Sequence, residues 1–484
     1  MSSKAHYAKI PRKVLFKKDE MSRPNILWYC TDQQRFDTIK ALGNPYVDTP
    51  NIDKLVQSGV AFTHTYCQSP ICTPSRSSFL TGLYPARLHN TRNGNDTFPD
   101  FPPLITKLIA DSGYRCGNIG KFHLTSSGHR TEPRLDDGMS YWQFSHAPRD
   151  DWEEGHHYAD WVRERGGDLD PMRNSEERVP PEYHQTTWAT ECALEFIDAQ
   201  QKDPWMLCVN IYDPHPPFIP PKVYADMFDP DQMPGPYYRE EDLENQKKLA
   251  AIDFQGDALP PEGHDAKRMQ AYYYAMIKQI DDQFQRVLDH LEATGQLENT
   301  VIIFTSDHGE SLGDHGLLQK GCRFYEGLVR IPLIFSWPGK LLQNVQRDAL
   351  VELLDLTSTI MEFAGLEQPD YMQGKSLMPL LTDVNQPDEH REFVRSEYFD
   401  ALDPFFTDGN GAYATMYRSR KYKLSVYHGH EIGELYDLEE DPWEFDNLWD
   451  NPDYAEIKAE LIYKSFDAHV ILTTDVGSKR VAPM

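Results

Sequence analysis

"RPNILWYCTD", Arg23 to Asp32, is an apolar run that ends on an acid. It is too short for a core helix and shows no alternation of polar and apolar residues. A run apolar on both faces reads as a strand covered on both sides, which is the habit of parallel sheets. Its carboxyl end would then present Asp32. The same design recurs in "WMLCVNIYDPH" (Trp205–His215) and in "TVIIFTSDHG" (Thr300–Gly309). Each run again closes on Asp or His. Helical patterns lie between the runs. "TPNIDKLVQSGVAF" has Thr49 as a cap and Pro50 in the first turn, and Leu104–Ser112 is followed by a strand in "YRCGNIGKF". Thr187–Ala199 and Ala266–Ala293 are further helical stretches, and "IPLIFSWP" is another short buried strand. Alternation of this kind predicts an α/β fold: a large mixed, mostly parallel sheet flanked by helices, with chemistry at the carboxyl ends of its strands.

The texture changes beyond about Glu389. "AYATMYRSRKYKLSVYHGHEIGELYDL" alternates strand-forming residues with turn residues, and a helix is expected near Tyr454–Ala468. We place a boundary near residue 385. The expected division is an N-terminal arm over 1–22, a catalytic domain over 23–385 and a smaller C-terminal α+β subdomain with an antiparallel sheet over 386–484. Between Leu124 and Pro181 runs an irregular stretch rich in Arg, Asp, His and Trp, the kind of insertion that serves a site or an interface.

Composition excludes several classes. The 484 residues carry a formal charge of −28, and no basic patch stands out, so a nucleic-acid partner is not expected. Such a field repels large polyanions, and an anionic substrate should be small and held by a local cluster of cations. No apolar run is long enough to span a bilayer, and the basic N-terminus lacks an apolar core of secretory type. The expectation is a soluble cytoplasmic protein without a membrane partner, its arm free or packed on another subunit of a homo-oligomer. The seven cysteines are Cys30, Cys67, Cys72, Cys116, Cys192, Cys208 and Cys322. An odd count without a CxxC pair argues against a disulfide framework and a structural zinc site. Cys30, Cys116 and Cys208 sit in or beside apolar runs and read as buried thiols.

Cys72 is different. It precedes a proline, an arginine and a serine-rich turn in "SPICTPSRSSFLTG" (Ser69–Gly82), neighbours of no use to a packing thiol. Elsewhere, Asp32, Asp307 and His308 are hard or borderline ligands at two strand ends and could hold a divalent cation with positions left open. A polar turn is the alternative for Asp307–His308. Arg76, Lys121, His123, His215 and Lys320 are cationic or protonatable. Lys121 and His123 alternate in "GKFHL", so an extended backbone would send both to one face. Gathered together, these groups would suit a tetrahedral oxyanion. Singly, each could be a surface charge.

"CTPSRSSFLTG" resembles the C-x-P-S-R-x-x-x-L-T-G signature of the formylglycine-dependent sulfatases, in the alkaline phosphatase superfamily. "GKFHL", "DPHPPF", "TSDHGE", Lys320 and "ELYDLEEDPWEFDNL" follow in the family's order, over roughly residues 24–450. The resemblance implies an alkaline phosphatase-like fold and a sulfuric ester hydrolase acting on a small-molecule or sugar sulfate. It implies that a maturation enzyme converts Cys72 to formylglycine, whose hydrate is both nucleophile and metal ligand. Arg76 would hold that hydrate. Asp32, Asp307 and His308 would complete the cation site. Lys121, His215 and Lys320 would grip the ester oxygens, with His215 or Lys320 protonating the leaving group. His123 would be the base that releases sulfate. The logic is chemical: a thiolate would form a thiosulfate-like ester with no internal exit, whereas an aldehyde hydrate has a second hydroxyl through which sulfate can be expelled.

The chain departs from the commoner pattern of paired aspartates followed by Asp–Asn. It has Asp32–Gln33 and Asp307–His308, closer to the branch of choline sulfatases and phosphonate monoester hydrolases. Fewer acidic oxygens make Mn2+ or Mg2+ competitors to Ca2+. Asn93 in "NTRNGN" is similar to an asparagine that reaches the nucleophile in that branch. Lys121 and His123 favour a sulfate monoester, since phosphonate and phosphodiester hydrolases carry neutral residues there; those esters remain the alternative substrate class. Trp142, His146, His156 and His157 could line a pocket or meet another subunit. Asp314–His315 reads as a turn that positions Lys320, "EEDPWEF" as a turn, and Tyr272–Tyr274 as core packing.

Overall fold

The computed structural model describes residues 23–127, 131–149, 156–199, 203–250, 252, 258–402 and 411–474. The expected arm over 1–22 lies outside them. The main sheet is built from β1 (Asn25–Thr31), β2 (Val60–Tyr66), β3 (Arg115–Gly120), β4 (Met139–Phe144), β5 (Trp205–Ile211), β6 (Thr300–Ser306), β7 (Arg330–Ser336) and β8 (Val345–Glu352), in the order β4-β3-β5-β1-β6-β7-β2-β8. β1 lies between β5 and β6 and runs parallel to both, with Ile26 opposite Met206 and Val301. β7 alone is antiparallel to its two neighbours. The carboxyl ends of β1, β2, β3, β5 and β6 therefore open on one edge of the sheet. The sheet is mixed and mostly parallel, as the apolar runs predicted.

Burial on both sides explains the unbroken apolarity of β1. Trp28 meets Phe79 of helix α1 (Cys72–Thr81) at 5.1 Å between ring centroids. On the opposite face Tyr29 meets Phe284 of helix α2 (Ala266–Ala293) at 5.0 Å. Each such side chain removed from water contributes about 1.5–3 kcal/mol.

Two stretches fold differently from their sequence reading. The helical pattern after Thr49 runs on to Phe62 in the sequence, but the helix ends at Ser58 and β2 starts at Val60. Gly59 forces the change: a Cβ there would lie 2.0 Å from the Phe335 carbonyl oxygen. The stretch over 124–181 is less irregular than it reads. It contributes edge strand β4 and the helices His157–Glu164 and Leu169–Asn174. An edge strand is half exposed and need not be apolar, which hid it.

A second sheet joins β9 (Phe393–Phe399), β10 (Tyr413–Ser419), β11 (Tyr422–Tyr427) and β12 (Ile432–Asp437), all antiparallel in the order β12-β11-β10-β9, with helix α3 (Ala455–Thr473) after them. Val394, Tyr398 and Met416 of this sheet belong to the same apolar cluster as Leu350 and Leu377. Lys423 reaches Glu326 at 3.1 Å and Glu444 at 2.6 Å, so a buried ion cluster also joins the two sheets. All seven cysteines are buried and unpaired. Among the described residues no helix is long and apolar enough to cross a membrane.

Candidate active site

The carboxyl edge of the sheet gathers the acids first. The backbone of Asp32, just past β1, donates to the Asp213 carbonyl at 3.3 Å, and Asp307, just past β6, donates to the Thr31 carbonyl at 3.2 Å. These two bonds hold both aspartates at the sheet edge. Asp307 Oδ1 accepts from the Gln33 N–H at 3.0 Å and the His308 N–H at 2.9 Å, and its Oδ2 accepts from Arg76 Nε at 2.9 Å. His308 donates Nδ1–H to the Gly309 carbonyl at 2.8 Å, which leaves the Nε2 lone pair free to ligate. Gly309 is required there: a Cβ would sit 1.9 Å from the Gly327 oxygen.

Cys72 opens helix α1 and is buried. Its Sγ lies 3.2 Å from His308 Nε2, 3.8 Å from Asp32 Oδ1, 3.6 Å from Lys121 Nζ and 2.7 Å from Lys320 Nζ. One ligating atom each from Asp32, Cys72, Asp307 and His308 falls within 4.8 Å of the others. Two carboxylates, one imidazole with its free nitrogen turned inward and a fourth donor make a fitting cradle for a divalent cation. The set is the one expected from the sequence.

The rim is cationic. Lys121 Nζ pairs with Asp32 Oδ2. Lys320 Nζ also lies 2.9 Å from Gln33 Oε1 and 3.4 Å from His308 Nε2. Burial would raise the pKa of Asp32, but the charges of Lys121, Lys320 and Arg76 hold it well below the usual carboxylate range. Burial and Asp32 would likewise raise the Cys72 thiol, yet Lys121, Lys320 and His308 hold it well below. Lys121 is raised against burial by Asp32 and Cys72. His215 donates Nδ1–H to the Pro216 carbonyl at 2.6 Å, so its Nε2 is an acceptor in the neutral ring. Burial, then Lys320, hold His215 well below the usual imidazole range.

Three residues meet partners that the sequence did not name. Arg76 sits among the acids beside residue 72. Its guanidinium serves Asp307, the Lys121 carbonyl at 2.8 Å, Asn210 Oδ1 at 3.2 Å and Asp32 at 3.8 Å. It fixes the two acids. His123 does not share a strand face with Lys121, because β3 ends at Gly120 and His123 has φ +56°. Its ring instead meets His146 edge-on at 4.5 Å. Burial, His146 and Lys121 depress its pKa well below the usual range. Asn93 reaches the backbone beside the nucleophile: its Oδ1 accepts from the Thr73 N–H at 2.9 Å, capping the first turn of α1.

Sequence reasoning missed Gln33, Glu310, Asn210 and Tyr212. Glu310 accepts from the Leu312 N–H at 3.1 Å, from the Gln319 N–H and from Gln33 Nε2. It thereby fixes both the loop that carries Lys320 and the amide that Lys320 meets. A buried acid two residues after His308 was the available signal. Of the pocket candidates, His146 lines a cavity of about 390 Å3 beside the site. Trp142 packs on Phe122, His156 meets Ser145, and His157 accepts from the Phe144 N–H. Asp314 pairs with Arg35 and His315 with Asp242, so neither joins the acids of the site. Trp443 of "EEDPWEF" stacks on Tyr237, and the Tyr273 hydroxyl donates to the Gln33 carbonyl at 2.5 Å.

A buried cation cradle, a nucleophile position inside it and a cationic rim, all on the carboxyl edge of a mostly parallel sheet, define a metal-assisted hydrolase of oxyanion esters with the alkaline phosphatase superfamily architecture. The family description "Sulfatase" matches residues 24–366, and that of the C-terminal region of N-sulphoglucosamine sulphohydrolase matches residues 313–469. The chain is 30% identical to an arylsulfatase of Clostridium perfringens over 90% of this chain and 92% of that protein. It is also 30% identical to the multifunctional alkaline phosphatase superfamily protein PehA of Trinickia caryophylli, over 92% and 95%. The phosphonate monoester hydrolase of Agrobacterium radiobacter has the same fold, with a TM-score of 0.77 at 24% identity over 93% of this chain and 96% of that one. The chain belongs to the sulfatase family, the metal-dependent enzymes that hydrolyse sulfuric esters.

Proposed function

We propose that the enzyme cleaves the sulfate monoester of a small molecule or sugar, with residue 72 working as formylglycine installed by a maturation enzyme. The observation that carries this reading is the convergence of Asp32, Asp307, His308 and Cys72 in one buried cluster rimmed by Lys121 and Lys320. Cys72 Sγ stands in for the oxygen that formylglycine bears on the same carbon. Asp32, Asp307, His308 and that oxygen would hold one divalent cation, Ca2+ first with Mn2+ or Mg2+ as competitors. The cation supplies Lewis acidity and lowers the pKa of oxygen donors near it. The hydrated aldehyde supplies two hydroxyls on one carbon, one to attack sulfur and one whose deprotonation expels sulfate and restores the aldehyde.

The remaining roles belong to the chain itself. Lys121 and Lys320 lie within 3.6 Å and 2.7 Å of the nucleophile position and can meet the sulfuryl oxygens as charge builds. Lys320 is also the better donor to the leaving oxygen, because neutral His215 offers Nε2 only as an acceptor. His123 Nδ1 has no hydrogen-bond partner among the described residues, which leaves that nitrogen open to exchange a proton. Arg76 keeps the two aspartates in register.

A paired rate comparison tests the substrate class. An aryl sulfate and an aryl phosphonate with one leaving group are given to aldehyde-bearing protein, with Cys72→Ala as the blank. Faster sulfate turnover supports the assignment to Lys121 and His123. Faster phosphonate turnover transfers it to phosphonate esters. Binding without turnover of either contradicts an enzyme.

A further inference from the structure

We propose that the alcohol half of the substrate carries a second anionic group, a carboxylate or another sulfate, and that Arg173 receives it. This rests on the sulfatase reading and names its substrate class.

The cavity of about 390 Å3 is lined by His146, Arg149, Arg173, Tyr212, Pro216 and Pro217, among others. That volume lies in the range of small-ligand sites, about 300–1,000 Å3. The cavity borders the catalytic cations at Tyr212. The tyrosine ring lies 4.7 Å from the His215 ring and 5.6 Å from Lys121 Nζ, while it also walls the cavity. His146 forms a second join, its ring against His123. An ester with its sulfate among Lys121, Lys320 and residue 72 would extend its alcohol portion into this space.

Arg173 is the informative wall. Its short helix, Leu169–Asn174, is fixed by Leu169, fully buried in the core cluster that Met172 also touches. No carboxylate among the described residues pairs with Arg173. The arginines 35, 76, 347 and 391 are tied up by carboxylates, whereas Arg173 is half-buried and turned to the cavity. A guanidinium on a cavity wall that no carboxylate among the described residues holds is matched in charge and shape by a carboxylate or sulfate, each of which accepts its paired N–H bonds. A neutral alcohol would leave it unanswered.

Competition against 4-nitrophenyl sulfate tests this in the aldehyde-bearing enzyme. Three sets of sugar monosulfates serve as competitors: neutral sugars, uronic acids and sugars with a second sulfate, each across the ring positions. One anionic set should compete at least about tenfold better than the neutral set, and which set does so identifies the group. Arg173→Ala should shrink that advantage by about 10–100-fold, the loss of one charge-assisted interaction. Arg173→Lys should restore part of it, as a point charge without the fork. Equal competition by neutral and anionic sugars overturns the proposal, as does an Arg173→Ala loss shared equally by all three sets. If the aldehyde-bearing enzyme fails to turn over 4-nitrophenyl sulfate itself, the sulfatase reading fails instead.

Discussion

Glu310→Gln removes one charge from the buried network behind Lys320, and its consequence can be followed atom by atom. Glu310 Oε1 accepts from the Leu312 and Gln319 N–H groups, and Oε2 accepts from Gln33 Nε2. A glutamine must keep its oxygen at the first position to satisfy two backbone donors. Its NH2 then faces the NH2 of Gln33, donor against donor. Gln33 relieves this by turning its amide, which withdraws Oε1 from Lys320 Nζ and presents NH2 to an ammonium, where the native distance to oxygen is 2.9 Å. A hydrogen bond to a charged group contributes about 1.5–3 kcal/mol, so kcat/KM should fall about 10- to 100-fold. Initial rates with 4-nitrophenyl sulfate measure this. The same substitution in a Lys320→Ala background should cost less than about twofold, because the group it positions is gone. Equal losses in both backgrounds would refute the argument that Glu310 acts through Lys320.

Other outcomes follow from single contacts. His308→Ala should lower the bound divalent cation to less than about half the unmutated load by elemental analysis; an unchanged load removes His308 from the ligand set. Asn93→Ala deletes the cap on the Thr73 N–H and should cost about 1 kcal/mol in denaturant unfolding; no loss would mean the cap contributes nothing. His184 is buried, which pushes its pKa down to about 3 from 6.5. The unfolded chain then binds the extra proton between those values, so stability is full above about pH 6.5 and is lost as pH falls through that window. His184→Gln keeps an acceptor for the Thr186 N–H and should remove about 2 kcal/mol of the difference in unfolding free energy between pH 7 and pH 5. An identical pH dependence in both proteins would contradict a neutral buried His184.

The legible parts of this molecule are those where one residue type has one physical use. Unbroken apolarity at Ile26–Cys30 needs burial on both faces, and the acid that ends the run needs a strand edge. Asp32, Asp307, His308 and Cys72 could be grouped because their chemistry is scarce and the signature around Cys72 is specific. The misread parts depended on backbone direction. His123 was expected beside Lys121 on an extended chain, but its left-handed φ turns it to His146. Arg76 reaches the aspartates and Asn210 from the first turns of α1, contacts that the spacing of the signature does not announce. Gln33 and Glu310 act through distant partners, and local sequence carries no record of those. β4 stayed hidden because half-exposed edges dispense with the apolar pattern.

The most direct measurement is turnover against the degree of modification at residue 72. Protein made with varying amounts of a maturation enzyme would be assayed on 4-nitrophenyl sulfate, with the aldehyde fraction in the Ser69–Gly82 region read by peptide mass spectrometry. The account predicts a rate proportional to that fraction, passing through zero where residue 72 is wholly cysteine. A rate that stays constant as the aldehyde fraction changes would contradict it, and would leave the Cys72 thiolate or another group as the nucleophile.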